Sequence, residues 1–188
     1  MTDAGKLHAV VPGKDKVRWI FLDAAAKKPL VIELINGRQG WAKTGDQAAD
    51  ELPGDMLDSE SDDAYLNWAT MLVPLKKDGV RLSTIKDETV AGRKAEGILV
   101  KAGKHRPFKF YFDAETHLLV MCETISKKED VQSEVVERTI WSDFQDVQGT
   151  KQPLKLSVLW DGVEVSEGRV VDLKFYEKPL EAKLFEKP

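Results

Sequence analysis

The sequence predicts an α+β fold built on a large curved antiparallel sheet, and two observations carry that prediction. From about Val90 to Tyr176, one segment after another alternates apolar and polar residues with period two. Turn dipeptides containing glycine separate those segments at hairpin spacing, so consecutive strands are expected to pair antiparallel. The clearest strand is Arg106–Asp113, which places Phe108, Phe110 and Phe112 on one face and Lys109, Tyr111 and Asp113 on the other. Leu154, Leu156, Val158 and Trp160 repeat the pattern against Lys155, Ser157 and Asp161.

Taken in order, the chain begins with three short strands. Lys16–Leu22 alternates Val17, Trp19 and Phe21 against Arg18 and Ile20; Leu30–Ile35 follows, and Asn36-Gly37 is a strong hairpin dipeptide leading into Arg38–Lys43, which carries Trp41. Between the first two, Ala24–Pro29 reads as a connection, since Pro29 arrives too soon for a sustained helix. From Asp46 to Asp63 there are eight acidic residues and no Lys or Arg, which reads as an acidic loop over about 46–58 feeding one helix over about 59–73. Ser59 or Ser61 is the expected cap, and Tyr65, Trp68, Ala69 and Leu72 fall at i, i+3, i+4 and i+7 on one apolar face before Pro74. Beyond Leu82 the reading is a meander. Its turns fall at Ala91-Gly92, Ala102–His105, Asp113–His117, the polar tip Lys127–Asp130, Gln148–Lys151 and Asp161-Gly162.

At 188 residues the chain has the length of one ordinary domain, and 42% hydrophobic with 32% charged residues is the mix of a packed globular protein. The net charge of −4, with both signs interspersed, does not favour a nucleic-acid partner, which calls for a basic stripe. Cys122 is the single cysteine, so no internal disulfide forms. No run reaches the ~18–20 apolar residues needed to span a bilayer. The N-terminus also lacks the basic and apolar regions of a signal peptide, which by itself implies a cytoplasmic protein. His8, His105 and His117 lie far apart near turns, and the acidic run lacks the spacing of a calcium loop. No metal, cofactor or nucleophile–base pair is implied, and an enzyme is not expected.

Several short segments resemble, in order, the LolA/LolB-like superfamily of outer-membrane lipoprotein-sorting proteins. They are Pro12-Gly-Lys…Val17-Arg-Trp19, Pro29-Leu-Val-Ile, Asn36-Gly-Arg-Gln-Gly-Trp41, Phe110–Val120, Trp141–Pro153 and the ending Leu184–Pro188. The resemblance implies a strongly curved half-barrel with one main helix covering its concave face, as a single domain over 1–188. It further implies a cavity that accepts a lipid or lipoprotein acyl chain, and a place in the periplasm or cell envelope. In that family a signal, a long helix and one or two strands precede the Pro-Gly motif, whereas about a dozen residues precede Gly13 here. An N-terminally short chain is therefore expected. The family's carrier has an arginine immediately before the proline; this chain has Val11, so the lid latch does not carry over.

The candidates for the cavity wall are Trp19, Trp41, Trp68, Leu72, Phe108, Phe110, Phe112, Trp141, Leu156 and Trp160. Each has a plainer role open to it, because alternating aromatics on strands and a helical apolar stripe also build ordinary core. The expected function is non-enzymatic binding of a hydrophobic or amphipathic ligand. The alternative is a structural or interaction module whose concavity is filled by its own side chains.

Overall fold

A computed structural model describes residues 6–13, 15–22, 29–128, 133–176, 178 and 180–188, with the backbone alone at 6, 8, 10–12 and 128. The expected connection at Ala24–Lys28 and the end of the tip at Glu129–Asp130 lie outside the described residues, as does the side chain of His8. The class is α+β with antiparallel sheets, as the sequence predicts, and the strands are dealt into two sheets of five and seven. The described chain forms two compact units, one from 1–75 with 176–188 and one from 76–175.

In the first unit, β1 (Lys6–Gly13), β2 (Lys16–Leu22), β3 (Pro29–Asn36), β4 (Gln39–Thr44) and β5 (Asp50–Glu51) pair in chain order. The β3–β4 hairpin closes on Asn36 opposite Gln39, so its loop is Gly37-Arg38, one residue later than the sequence suggests. Gly37 takes the left-handed backbone that the turn requires. Helix α1 spans Gly54–Ala69, four or five residues earlier at both ends than the expected 59–73. It begins directly after Pro53 with no side-chain cap, so Asp55 and Asp58 of the expected loop are helical. Ser61, an expected cap, donates to the Leu57 carbonyl at 2.6 Å inside the helix. Leu72 leaves the helix with φ 62°, closing it from beyond its end, and a 3-10 turn over Val73–Lys76 contains Pro74.

Ala64 of α1 joins Val17 and Ile35 in one buried cluster, with Trp19, Leu52 and Leu57 packed around it. The helix therefore covers the face of the five-stranded sheet that carries Val17 and Trp19. Leu34, Trp41 and Ala49 form a separate cluster. The C-terminal 3-10 turn, Ala182–Phe185, is tied to this sheet by two hydrogen bonds. Arg18 Nη1 donates to the Leu184 carbonyl and Asn36 Nδ2 to that of Phe185, each at 3.0 Å.

In the second unit, β6 (Val80–Val90), β7 (Arg93–Ala102), β8 (Phe108–Asp113), β9 (Leu119–Lys128), β10 (Ser133–Val147), β11 (Thr150–Trp160) and β12 (Val163–Arg169) form one open meander with β6 and β12 at its edges. The Asp161-Gly162 loop has positive φ at both residues, the conformation that matches strand twist in a two-residue hairpin, and Ala91-Gly92 and Gln148-Gly149 share it. The expectation of a one-sided apolar β8 needs correction. Tyr111 and Asp113 are buried as deeply as Phe108 and Phe110, because Tyr111 packs with Val90, Ala95 and Met121 on the opposite face. The centre of the sheet is thus buried on both sides. No helix among the described residues is long and apolar enough to cross a membrane.

Candidate functional site

Directly opposed residues on neighbouring strands share a face, so the register shows which candidates meet. Phe108 lies opposite Thr124, which belongs to the row Thr124–Glu137–Trp160. Phe110 lies opposite Cys122 in the row Cys122–Thr139–Val158, and the next pair on that face is Trp141–Leu156. Phe108, Phe110, Trp141, Leu156 and Trp160 therefore converge on one face of the seven-stranded sheet. Phe112 sits next to Phe110, ring centroids 6.4 Å apart and nearly perpendicular, where β8 passes a bulge against β9. Phe108 and Phe110 pack at 4.9 Å.

Burial divides this face in two. Across β8 and β9, Phe108, Phe110, Cys122, Thr124 and Ser126 are buried, and Phe110 has no exposed surface at all. In this structure Phe108 and Phe110 are 3% and 0% exposed. Across β10 and β11, Trp141, Leu156, Val158 and Trp160 are half-buried and keep apolar surface. Trp160 also donates from its indole Nε1 to Glu137 Oε2 at 3.0 Å, so its ring is held in place on the sheet.

The other candidates stand elsewhere. In the five-stranded sheet, Trp19 lies opposite Glu33 and Trp41 opposite Leu34, one residue out of step. The two tryptophans are therefore on opposite faces and do not share a wall. Trp68 meets Tyr65 edge-on at 5.8 Å on α1. Leu72 lies outside the helix and exposed, so it takes no part in the helical stripe expected of it.

A cavity of about 250 Å³ opens within the second unit, where β9 and β10 part. Their pairing ends at Ile140–Met121, while β10 continues against β11 to Val147. Asp143, just past that point, has φ 53°. Leu118 and Val120 form one wall and Trp141 to Phe144 another, and Val90, Ala91, Arg93 and Ala95 from the β6–β7 hairpin complete it. The volume is slightly below the roughly 300–1,000 Å³ usual for ligand pockets, enough for a short apolar segment rather than a whole lipid.

One charged group, Arg93 with Asp113, lines this cavity, a second lies further along β9, and the sequence reading assigned neither. Arg93 donates to Asp113 from Nε to Oδ2 at 2.6 Å and from Nη2 to Oδ1 at 3.0 Å, while Nη2 also reaches Glu115 Oε2 at 2.8 Å. Asp113 Oδ1 accepts from the backbone N–H groups of Glu115 and Thr116 and from the Thr116 hydroxyl, which organises the β8–β9 turn. The Arg93 guanidinium first, and then the Thr116 hydrogen bond, hold the Asp113 carboxyl far below the usual carboxylate range. On β9, Glu123 is buried between Lys109 and Arg138, both of which donate to it. Burial alone would raise its pKa; the hydrogen bonds from Lys109 and Arg138 outweigh burial and leave it below the ordinary value. A lone Glu inside the apolar run Val120-Met-Cys-Glu-Thr-Ile125 was the legible signal for such a pair, because a buried charge needs a partner. Arg93 gave no such signal, since its partner lies 20 residues away.

No family model matches this sequence, and no curated protein does. Solved structures do. A LolA superfamily protein of Nitrosomonas europaea superposes with a TM-score of 0.57 at 12% identity, covering 97% of this chain and 81% of its own. A domain of Vibrio parahaemolyticus named for outer membrane lipoprotein sorting gives 0.60 at 11%, covering 99% and 85%. A DUF1329 family protein of Desulfovibrio piger gives 0.54 at 14%, covering 97% and 83%. These superpositions show that the chain has the LolA-like fold.

Proposed function

We propose that this chain is a non-enzymatic binding protein of the bacterial envelope that holds a hydrophobic or amphipathic ligand, the acyl chain of a lipid or lipoprotein. The observation that carries this reading is the convergence of Trp141, Leu156, Val158 and Trp160 as a half-buried apolar surface on one sheet face, with Trp141 also lining the cavity. At ~25 cal/mol per Å2 of apolar area removed from water, a methylene chain laid on that surface binds through the hydrophobic effect. The lipoprotein-sorting name of the Vibrio domain supports the ligand class and the envelope compartment.

The test is native mass spectrometry of the protein purified from its own host, paired with titration of a fluorescent acyl probe. Co-purifying lipid, or saturable probe binding, supports the reading. Failure of both favours the second reading, an interaction module with a filled core, for which the complete burial of Phe110 speaks.

A further inference from the structure

The opposite face of the seven-stranded sheet, away from Phe108 and Phe110, presents a different chemistry at its Lys101 end. Ile125 and Val136 lie directly opposite each other there and are 54% and 38% exposed. One step along the same face, Lys109 and Arg138 share the single buried carboxylate of Glu123, leaving one positive charge in excess. Arg81 and Lys101 lie on this face too, because Ser83, Leu99 and Lys109 form a continuous row one step inward. Arg81 and Lys101 are directly opposed, exposed and alike in charge, a pairing that costs stability unless something anionic lies over it.

We propose that this face docks on an anionic lipid bilayer, with the cations over the headgroups and Ile125 and Val136 entering the interface. Arg81, Lys101, Lys109 and Arg138 outnumber the carboxylates beside them, Glu123 and Asp161, the latter accepting from the Val136 N–H, while Glu134 is matched by Lys127 opposite it. In a chain of net charge −4 this excess of cations beside exposed aliphatic side chains complements an anionic, apolar-backed surface. The Lys and Arg stems spread over such a surface while their heads stay with phosphate. The proposal does not depend on a ligand in the cavity. A protein that binds no acyl probe would still bind vesicles.

The experiment is co-sedimentation of the full chain with vesicles of phosphatidylcholine and phosphatidylglycerol at 3:1, against pure phosphatidylcholine. Binding to the first alone, reversed by 0.5 M salt, is expected. Each cation removed weakens binding about five-fold, so the R81E/K101E double variant is expected to lose it. Both residues are exposed, and an unchanged melting curve verifies the fold. Ile125→Ser with Val136→Ser is expected to weaken binding with salt sensitivity kept. Equal binding to both vesicles, no binding to either, or an unaffected R81E/K101E variant overturns the proposal. So does preferential binding to polyglutamate at equal charge, which would make the partner an acidic protein.

Discussion

Arg93 grips Asp113 through two parallel hydrogen bonds across the paired strands β7 and β8, from the start of one to the end of the other. The same carboxylate ties its own turn through Thr116, so one side chain fixes the rim of the cavity in two directions. Its folded pKa lies below its unfolded one, near 3.9, so its stabilisation is complete above about pH 4 and is lost as pH falls further. Asp113→Asn is expected to be less stable than wild type at pH 7, with the gap narrowing below pH ~4. Urea midpoints between pH 2.5 and 7 measure this, and a constant gap would refute it.

Gly97 stands where the sheet has no room. A Cβ there would sit 2.7 Å from Ile85 Cγ1, 2.9 Å from the Lys86 carbonyl oxygen and 3.0 Å from Tyr111 Cε1. Because one of those atoms is backbone, relief requires β6 to move. Gly97→Ala is expected to destabilise by about 1–3 kcal/mol, read from denaturant unfolding.

Ser126 is fully buried, and its hydroxyl has no hydrogen-bond partner among the described residues. Removing an unsatisfied buried hydroxyl recovers its desolvation cost, so Ser126→Ala is expected to raise stability by about 1 kcal/mol. Thermal unfolding checks it; a fall in melting temperature would mean the hydroxyl is satisfied.

Trp141 reports on the proposed ligand surface and Trp68 does not. Addition of a long-chain amphiphile is expected to shift tryptophan emission to shorter wavelength. Trp141→Phe together with Trp160→Phe should abolish most of that shift and Trp68→Phe should leave it. The reverse pattern would move the ligand site to α1.

Strand periodicity made most of the meander legible, because alternation is local and survives without knowledge of partners. That Phe108 and Phe110 share a face was readable for the same reason. The burial of Tyr111 was not, since it depends on Val90 and Met121 arriving from other strands. The face each tryptophan takes was equally hidden: Trp19 and Trp41 are separated by the pairing of β2 with β3, which no local pattern sets. At α1 the serines suggested a later start, and the chain instead begins the helix at Pro53-Gly54, without any side-chain cap. The facing walls that Leu118 and Phe144 belong to exist only because two strands separate, an event with no trace in composition.

Strand β10 is paired on both sides over Glu137–Ile140 and on one side only from Trp141 onward, where β11 alone continues. Amide protons from Trp141 onward should therefore exchange with heavy water sooner than those from Glu137 to Ile140, since fewer ladder bonds must break. A guest entering beside Trp141 would then wedge apart a seam that is already half unzipped, and the rest of the sheet would stay shut.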